Sequence, residues 1–131
     1  MLNESSTIAA ISTAQGIGGI GVVRLSGKDA LKIAKKICNI DLTPRKAYTC
    51  SFKDKKNTTL DQGIAIHFSS PASFTGEDIV ELQGHGGNVV LNLILNACIS
   101  HGAELAPPGE FTKRAFLNNK IDLSQAESVA D

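Results

Sequence analysis

One stretch limits the possible folds of this chain more than any other. It runs Ser73-Phe74-Thr75-Gly76-Glu77-Asp78-Ile79-Val80-Glu81-Leu82-Gln83-Gly84-His85-Gly86-Gly87 and leads into a long apolar segment. Asp78 to Gln83 alternates with the period of a strand, placing Val80 and Leu82 on one face and Ile79, Glu81 and Gln83 on the other. A carboxylate in mid-strand between apolar residues is a costly place for a charge unless something binds it. The glycines at 84, 86 and 87 let the backbone turn sharply and approach a ligand closely. Asn88 is the expected N-cap of the following helix. Strand, glycine turn and helix N-terminus then aim backbone N–H groups and one carboxylate at a single point, which is the geometry of a binding site.

The helix predicted from Val89 to about Ser100 leaves only a narrow polar stripe, Asn92, Asn96 and Ser100 following Asn88. Its apolar arc is wider than a one-sided surface helix needs, so it is expected to be covered on more than one side, by the core or by a second subunit. Gly102 suits the position just past its end. With 131 residues, 42% of them hydrophobic, the chain has enough apolar material for one core. Thirteen basic and thirteen acidic residues cancel, so the domain lacks the basic surface that tight contact with a nucleic-acid backbone requires. Cys38, Cys50 and Cys98 are odd in number and widely spaced, and read as small core hydrophobes of a reducing compartment, with no metal site. With no signal peptide and no apolar run of membrane length, the expected location is cytoplasmic.

Thr7 to Ala14 reads as a first strand. Gly16-Ile17-Gly18-Gly19-Ile20-Gly21 meets the spacing G-x-G-x-x-G, but a dinucleotide site needs the third glycine to lie inside a helix. Here it leads into Val22-Val23-Arg24-Leu25, which is strand-like, so a glycine-rich loop between two strands is the better reading. Arg24 is either a solvated edge residue or the ligand of an anion, and its position alone favours the edge. Ser26 is the candidate N-cap of a first helix with Asp29 in its first turn. Ala30, Leu31, Ala34, Ile37 and Cys38 form its apolar face, and Lys28, Lys32, Lys35 and Lys36 lie largely off that face.

Residues 47 to 68 read as a β-hairpin, with Tyr48, Cys50 and Phe52, then Ile64, Ile66 and Phe68, on the alternating apolar positions. His67 points away from Ile66 and Phe68 and is expected at or near the surface. Ala103 to Ala106 is a short last strand, stopped by Pro107-Pro108-Gly109, and Glu110 to Asn118 is a short helix. Asn119-Lys120 form a turn, and Ser124 with Glu127 reads as the capping box of another helix. That helix has about two turns before Asp131, too short to be stable alone, so the sequence is expected to be a piece of a longer protein.

Several of these segments together carry a resemblance. Gly18 to Gly27 (GGIGVVRLSG), Ser73 to Asp78 (SFTGED), Glu81 to Gly87 (ELQGHGG), Pro108 to Thr112 (PGEFT) and Arg114 to Leu123 (RAFLNNKIDL) closely resemble the N-terminal domain of the tRNA-modifying GTPases of the TrmE/MnmE type, in register over residues 7 to 131. A departure is Ala14-Gln15, where that family commonly has a proline pair. The resemblance implies an α+β fold, a mixed sheet with helices similar to the tetrahydrofolate-binding domain of glycine-cleavage aminomethyltransferases. It implies a folate-binding and homodimerising domain over residues 1–118 and, over 119–131, the start of a helical domain, truncated here.

In the family the helical domain holds a G domain that uses GTP, magnesium and potassium and lies outside this sequence. The whole protein is a GTP hydrolase that works with a flavin-dependent partner of the GidA/MnmG type. Together they modify C5 of the tRNA wobble uridine with an aminomethyl-type group, tRNA being engaged through the full complex.

Carried over by motif, the resemblance implies Arg24, Glu81 and Lys120 as contacts to 5-formyltetrahydrofolate or a related tetrahydrofolate, with no catalytic residue and no metal ligand in this piece. The chemistry suits those residue types. The pterin edge offers two donors side by side, which a carboxylate such as Glu81 accepts in a fork, and the glutamate tail of a folate carries carboxylates that Arg24 or Lys120 meets. Which cation meets which group is left open. Two other readings differ in class: a stand-alone folate-dependent aminomethyltransferase, and a purely structural dimer module. Gly27-Lys28-Asp29 resembles a P-loop tail only superficially, because Asp29 replaces the Ser or Thr that holds magnesium; no GTP hydrolysis is expected of this piece.

Overall fold

The computed structural model describes residues 5–12, 19–85 and 87–129. The elements in chain order are β1 (Ile8–Ile11), β2 (Gly21–Ser26), α1 (Ala30–Cys38), β3 (Ala47–Lys53), β4 (Thr59–Phe68), β5 (Ile79–Gly84), α2 (Gly87–Ser100), β6 (Glu104–Leu105), α3 (Glu110–Leu117) and α4 (Leu123–Ser128). Among the described residues six strands form one sheet in the order β3-β4-β5-β2-β1-β6. All neighbours are antiparallel except β1 and β6, which are parallel, so the sheet is mixed and the fold is α+β as expected. Most of the glycine-rich segment at 13–18, and Gly86, lie outside the described residues. From Gly21 onward the chain is strand and not helix, so the third glycine of the dinucleotide spacing does not open a helix.

The alternation of side chains along each strand sorts the sheet into two faces. Val23 and Leu25 of β2, Ala65 of β4 and Val80 and Leu82 of β5 join Ile33, Ala34 and Ile37 of α1 and Leu91, Ile94 and Cys98 of α2 in one buried cluster. Gly63 of β4 lies where strands pack most tightly. A Cβ there would stand 1.9 Å from the Gln83 carbonyl oxygen and 2.8 Å from the Phe52 ring, so only glycine fits.

Helix α1 buries Ala30, Ile33, Ala34, Ile37 and Cys38, while Leu31 is only half-buried, a slight rotation from the expected face. Its N-cap is Asp29, without a side-chain bond. Ser26, expected in that role, is instead the fully buried last residue of β2, because pairing with β5 continues through Ser26 and Ile79 and its hydroxyl is committed to Thr75 and Glu77. Helix α2 starts at Gly87, one residue before the expected cap. Asn88 lies inside it, and its carbonyl accepts the Asn92 side-chain amide at 2.8 Å. Gly102 closes the helix end, its N–H on the Ile99 carbonyl. The wide apolar arc of α2 divides: Leu91, Ile94, Leu95, Ala97 and Cys98 are buried, and Val89, Leu93 and Ile99 remain exposed.

The hairpin β3–β4 forms as expected, but its core side differs. Gly63, Ala65 and His67 share the face of Phe52, and Ile64, Ile66 and Phe68 lie half-buried on the other. His67 is therefore buried, not at the surface. Its Nε2 lies 3.4 Å from the Asp78 carboxylate, which offsets the burial of a polar ring. The last helix is capped by Asp122 with Gln125, not by Ser124 with Glu127. Gln125 donates its N–H to Asp122 Oδ1 at 2.8 Å, and its side-chain oxygen accepts the Asp122 N–H at 2.9 Å.

Candidate functional site

The sheet face turned away from α1 and α2 carries Arg24 and Glu81. Arg24 and Glu81 are register partners on β2 and β5. Since β2 lies between β5 and β1, Arg24 is not an edge residue, and a solvated edge position is ruled out. Its Nη2 donates to Glu81 Oε2 at 3.1 Å, both side chains being about one-fifth exposed. Among the described residues this is the hydrogen bond the structure gives the Glu81 carboxylate. Arg24 Nε is buried without a hydrogen-bond partner among the described residues.

Two phenyl rings accompany the guanidinium. Phe74, from the loop before β5, has its ring centre 5.9 Å from Arg24 Cζ, and Phe111, from α3, lies at 5.7 Å. A cation over an aromatic face gains roughly 0.5–2 kcal/mol, more as water is excluded. Arg24, Glu81, Phe68, Phe74 and Ile79 line a cavity of about 120 Å³. Pockets for whole drug-sized ligands hold roughly 300–1,000 Å³, so this cavity is smaller than a whole ligand of that size needs. Its polar lining is the Arg24 guanidinium and the Glu81 carboxylate, between apolar walls.

A polar cluster centred on Arg114 ties α3 to the loop before β5. Arg114 of α3 is almost fully buried and donates through Nη1 to both Glu77 oxygens, at 3.1 and 3.2 Å, and through Nε to Glu110 Oε2 at 3.1 Å. Glu77 also accepts from Ser26 Oγ at 2.8 Å. Helix α3 begins after Gly109, whose φ of 77° is the left-handed conformation that glycine adopts without strain.

The expected contacts do not all converge. Arg24 and Glu81 meet; Lys120 does not join them. It sits exposed in the turn after α3 and lines a separate hollow of about 600 Å³ with Phe116, Leu117 and Ile121. Phe74, Phe111, Glu77 and Arg114 were not singled out as site residues from sequence, although each lies within a segment that carries the family resemblance.

A comparison with known proteins bears on this arrangement. Residues 7–120 match the family model described as "GTP-binding protein TrmE N-terminus". The chain belongs to this family. The TrmE N-terminal match covers every strand of the sheet, the loop with Phe74 and Glu77, and α3. Among similar proteins is the tRNA modification GTPase MnmE of Neisseria meningitidis serogroup A, 54% identical over 131 residues, which is 100% of this chain and 29% of that protein. The protein of the same name from Nitrosospira multiformis is 55% identical over 130 residues, 99% of this chain and 29% of its own length. That of Pseudomonas putida is 58% identical over 125 residues, 95% and 27%. The TrmE-type chain described here thus spans under a third of the length of these relatives.

Among the described residues no group of His, Cys, Asp and Glu is arranged to hold a metal ion, and no helix is long and apolar enough to cross a membrane. The three cysteines are free thiols, Cys38 and Cys98 buried and Cys50 half-buried. Burial pushes the Cys98 thiol up to about 12. A hydrogen bond with Cys50, together with burial, raises that of Cys38. Both stay protonated and behave as core side chains.

Proposed function

We propose that this chain is the folate-binding and homodimerising N-terminal domain of a GTPase that modifies C5 of the tRNA wobble uridine, and that its pocket holds the one-carbon donor. One observation supports this above the others: on adjacent strands, a carboxylate with one oxygen unpaired among the described residues stands beside a guanidinium whose buried Nε–H has no acceptor among them. The amide edge of a pterin presents an acceptor next to two donors, the complement of that pair. The residues present therefore fit a reduced folate such as 5-formyltetrahydrofolate, which supplies a one-carbon unit when bound. Glu81 and Arg24 orient the pterin, while Phe74 and Phe68 keep water from its edge. Because Lys120 stands apart from the cavity, it is assigned to the folate tail, beyond the small pocket. On this reading residues 1–118 are the binding domain and 119–131 open a helical domain. GTP, magnesium and potassium are used by a G domain elsewhere in the cytoplasmic full-length protein, which acts on tRNA with a flavin-dependent partner.

A second reading has its own observation. Arg24 and Glu81 already pair with each other, as in a structural dimer module with a vestigial pocket. Calorimetric titration of the chain with 5-formyltetrahydrofolate separates the two. Saturable one-to-one binding supports the folate site, and no heat at millimolar ligand supports the structural module. The exposed Val89 and Leu93 on α2 suit a symmetric contact between two copies. Light scattering is expected to give a dimer mass, and a monomer mass at high micromolar concentration would contradict it.

A further inference from the structure

We propose that Arg114 is a positioning residue for the Arg24 pocket: its ion pair with Glu77 sets both phenyl rings on the guanidinium. The proposal rests on the folate reading of that pocket. Phe111 lies three residues before Arg114 on α3, and Phe74 lies three residues before Glu77 in the loop that leads to β5. Each ring that faces Arg24 thus hangs from one partner of the pair. Arg114 spans the gap with a fork that reaches Glu77, Glu110 and the Ser6 carbonyl, the last at 2.7 Å. Glu77 is tied to β2 through Ser26, two residues from Arg24, and Ser26 Oγ meets Thr75 Oγ1 at 2.7 Å. Asn118 adds a parallel strut, its side-chain amide donating to the Thr75 carbonyl at 2.7 Å. The cluster therefore joins three separate pieces of chain, β2, the loop and α3, which meet at Arg24: Phe74 on the cavity wall and Phe111 outside that lining have their ring centres 5.9 and 5.7 Å from its Cζ. A lysine at 114 keeps the charge but replaces the planar fork by a single ammonium, which does not reproduce three partners at once.

The test uses nuclear magnetic resonance of the Arg24 Nε–H together with titration by 5-formyltetrahydrofolate. In the wild type the two rings displace the Arg24 Nε–H signal from the value of a free arginine. Arg114→Lys is expected to return it toward that value and to weaken folate binding about tenfold or more, each tenfold being one decade in Kd. Should Arg114→Lys fail to fold, Glu77→Gln loosens the same joint with one less charge and carries the same expectation. The control is Leu95→Ala, a buried α2 position on the opposite side of the sheet, which lowers the melting temperature but is expected to leave the Arg24 signal and the affinity in place. An unmoved Arg24 signal in folded Arg114→Lys or Glu77→Gln overturns the proposal, as does an equal movement in Leu95→Ala. If the wild type binds no folate, the folate reading fails alone, because the Arg24 signal still decides whether Arg114 sets the rings.

Discussion

On the face of the sheet under α1 and α2, Val23, Leu25, Val80 and Leu82 are fully buried among aliphatic side chains, and each could be exchanged for another aliphatic without changing the kind of contact made. On the opposite face, one residue away along the same strands, Arg24 and Glu81 are partly exposed and paired with each other, and two phenyl rings lie against Arg24. The first face is sufficient to explain why the chain folds. The second adds little to folding, since in a largely buried ion pair the attraction is offset by the desolvation of both charges, yet it concentrates charge, aromatic surface and a donor without a partner among the described residues in one place. Adjacent positions of β5 thus serve different ends, which makes the comparison easy to attack by mutation.

The largest effect is expected at Leu82, which is fully buried beneath the helices. Leu82→Ala removes its methyl groups and leaves a cavity, costing about 2–5 kcal/mol in denaturant unfolding. Folate affinity measured below the melting point should stay unchanged, and a marked loss of affinity would blur the division between the faces. Phe74→Ala is expected to do the converse. The residue is about one-third exposed, so the melting temperature moves little. Loss of one ring from Arg24 removes on the order of 1 kcal/mol of binding, about fivefold in Kd. A large drop in melting temperature with intact affinity would place Phe74 among the folding residues.

The smallest effect is a pH dependence remote from both faces. Partial burial, with Lys55 and Lys36 nearby, lowers the pKa of His101 below its ordinary value. A group whose folded pKa lies below its unfolded value contributes stability that is present above about 6.5 and is lost as pH falls through the folded value. Thermal melts from neutral to mildly acid pH should therefore show a small loss in the wild type that is reduced in His101→Gln. An equal or larger loss in His101→Gln would count against it.

The helix face was legible in the sequence because its signal is local: the alternation at Val80 and Leu82 and the helical spacing of Ala30, Ala34 and Ile37 each lie within one element. Glu81 was legible for the opposite reason, as a charge misplaced in a strand. What could not be read were pairings between distant residues. Ser26 looked like a helix cap because its acceptor, Glu77, lies 51 residues away, and His67 looked superficial because Asp78 is separated from it by a loop. The bond between Arg114 and Glu77 spans 37 residues, and nothing local at either position points to the other. Lys120 was placed with Arg24 and Glu81 by resemblance alone; the fold puts it on a different hollow.

The comparison of the two faces is tested most directly by Glu81→Gln, studied by calorimetric titration with 5-formyltetrahydrofolate beside a thermal melt. The amide keeps an oxygen for Arg24 Nη2 and is easier to bury than a carboxylate, so the melting temperature should hold or rise slightly. It offers the pterin edge one neutral acceptor in place of a charged one. Losing a hydrogen bond to a charged group removes about 1.5–3 kcal/mol, so Kd should rise roughly tenfold to a hundredfold or more. A large fall in melting temperature with unchanged affinity would contradict the account and make Glu81 a partner of Arg24 in folding alone.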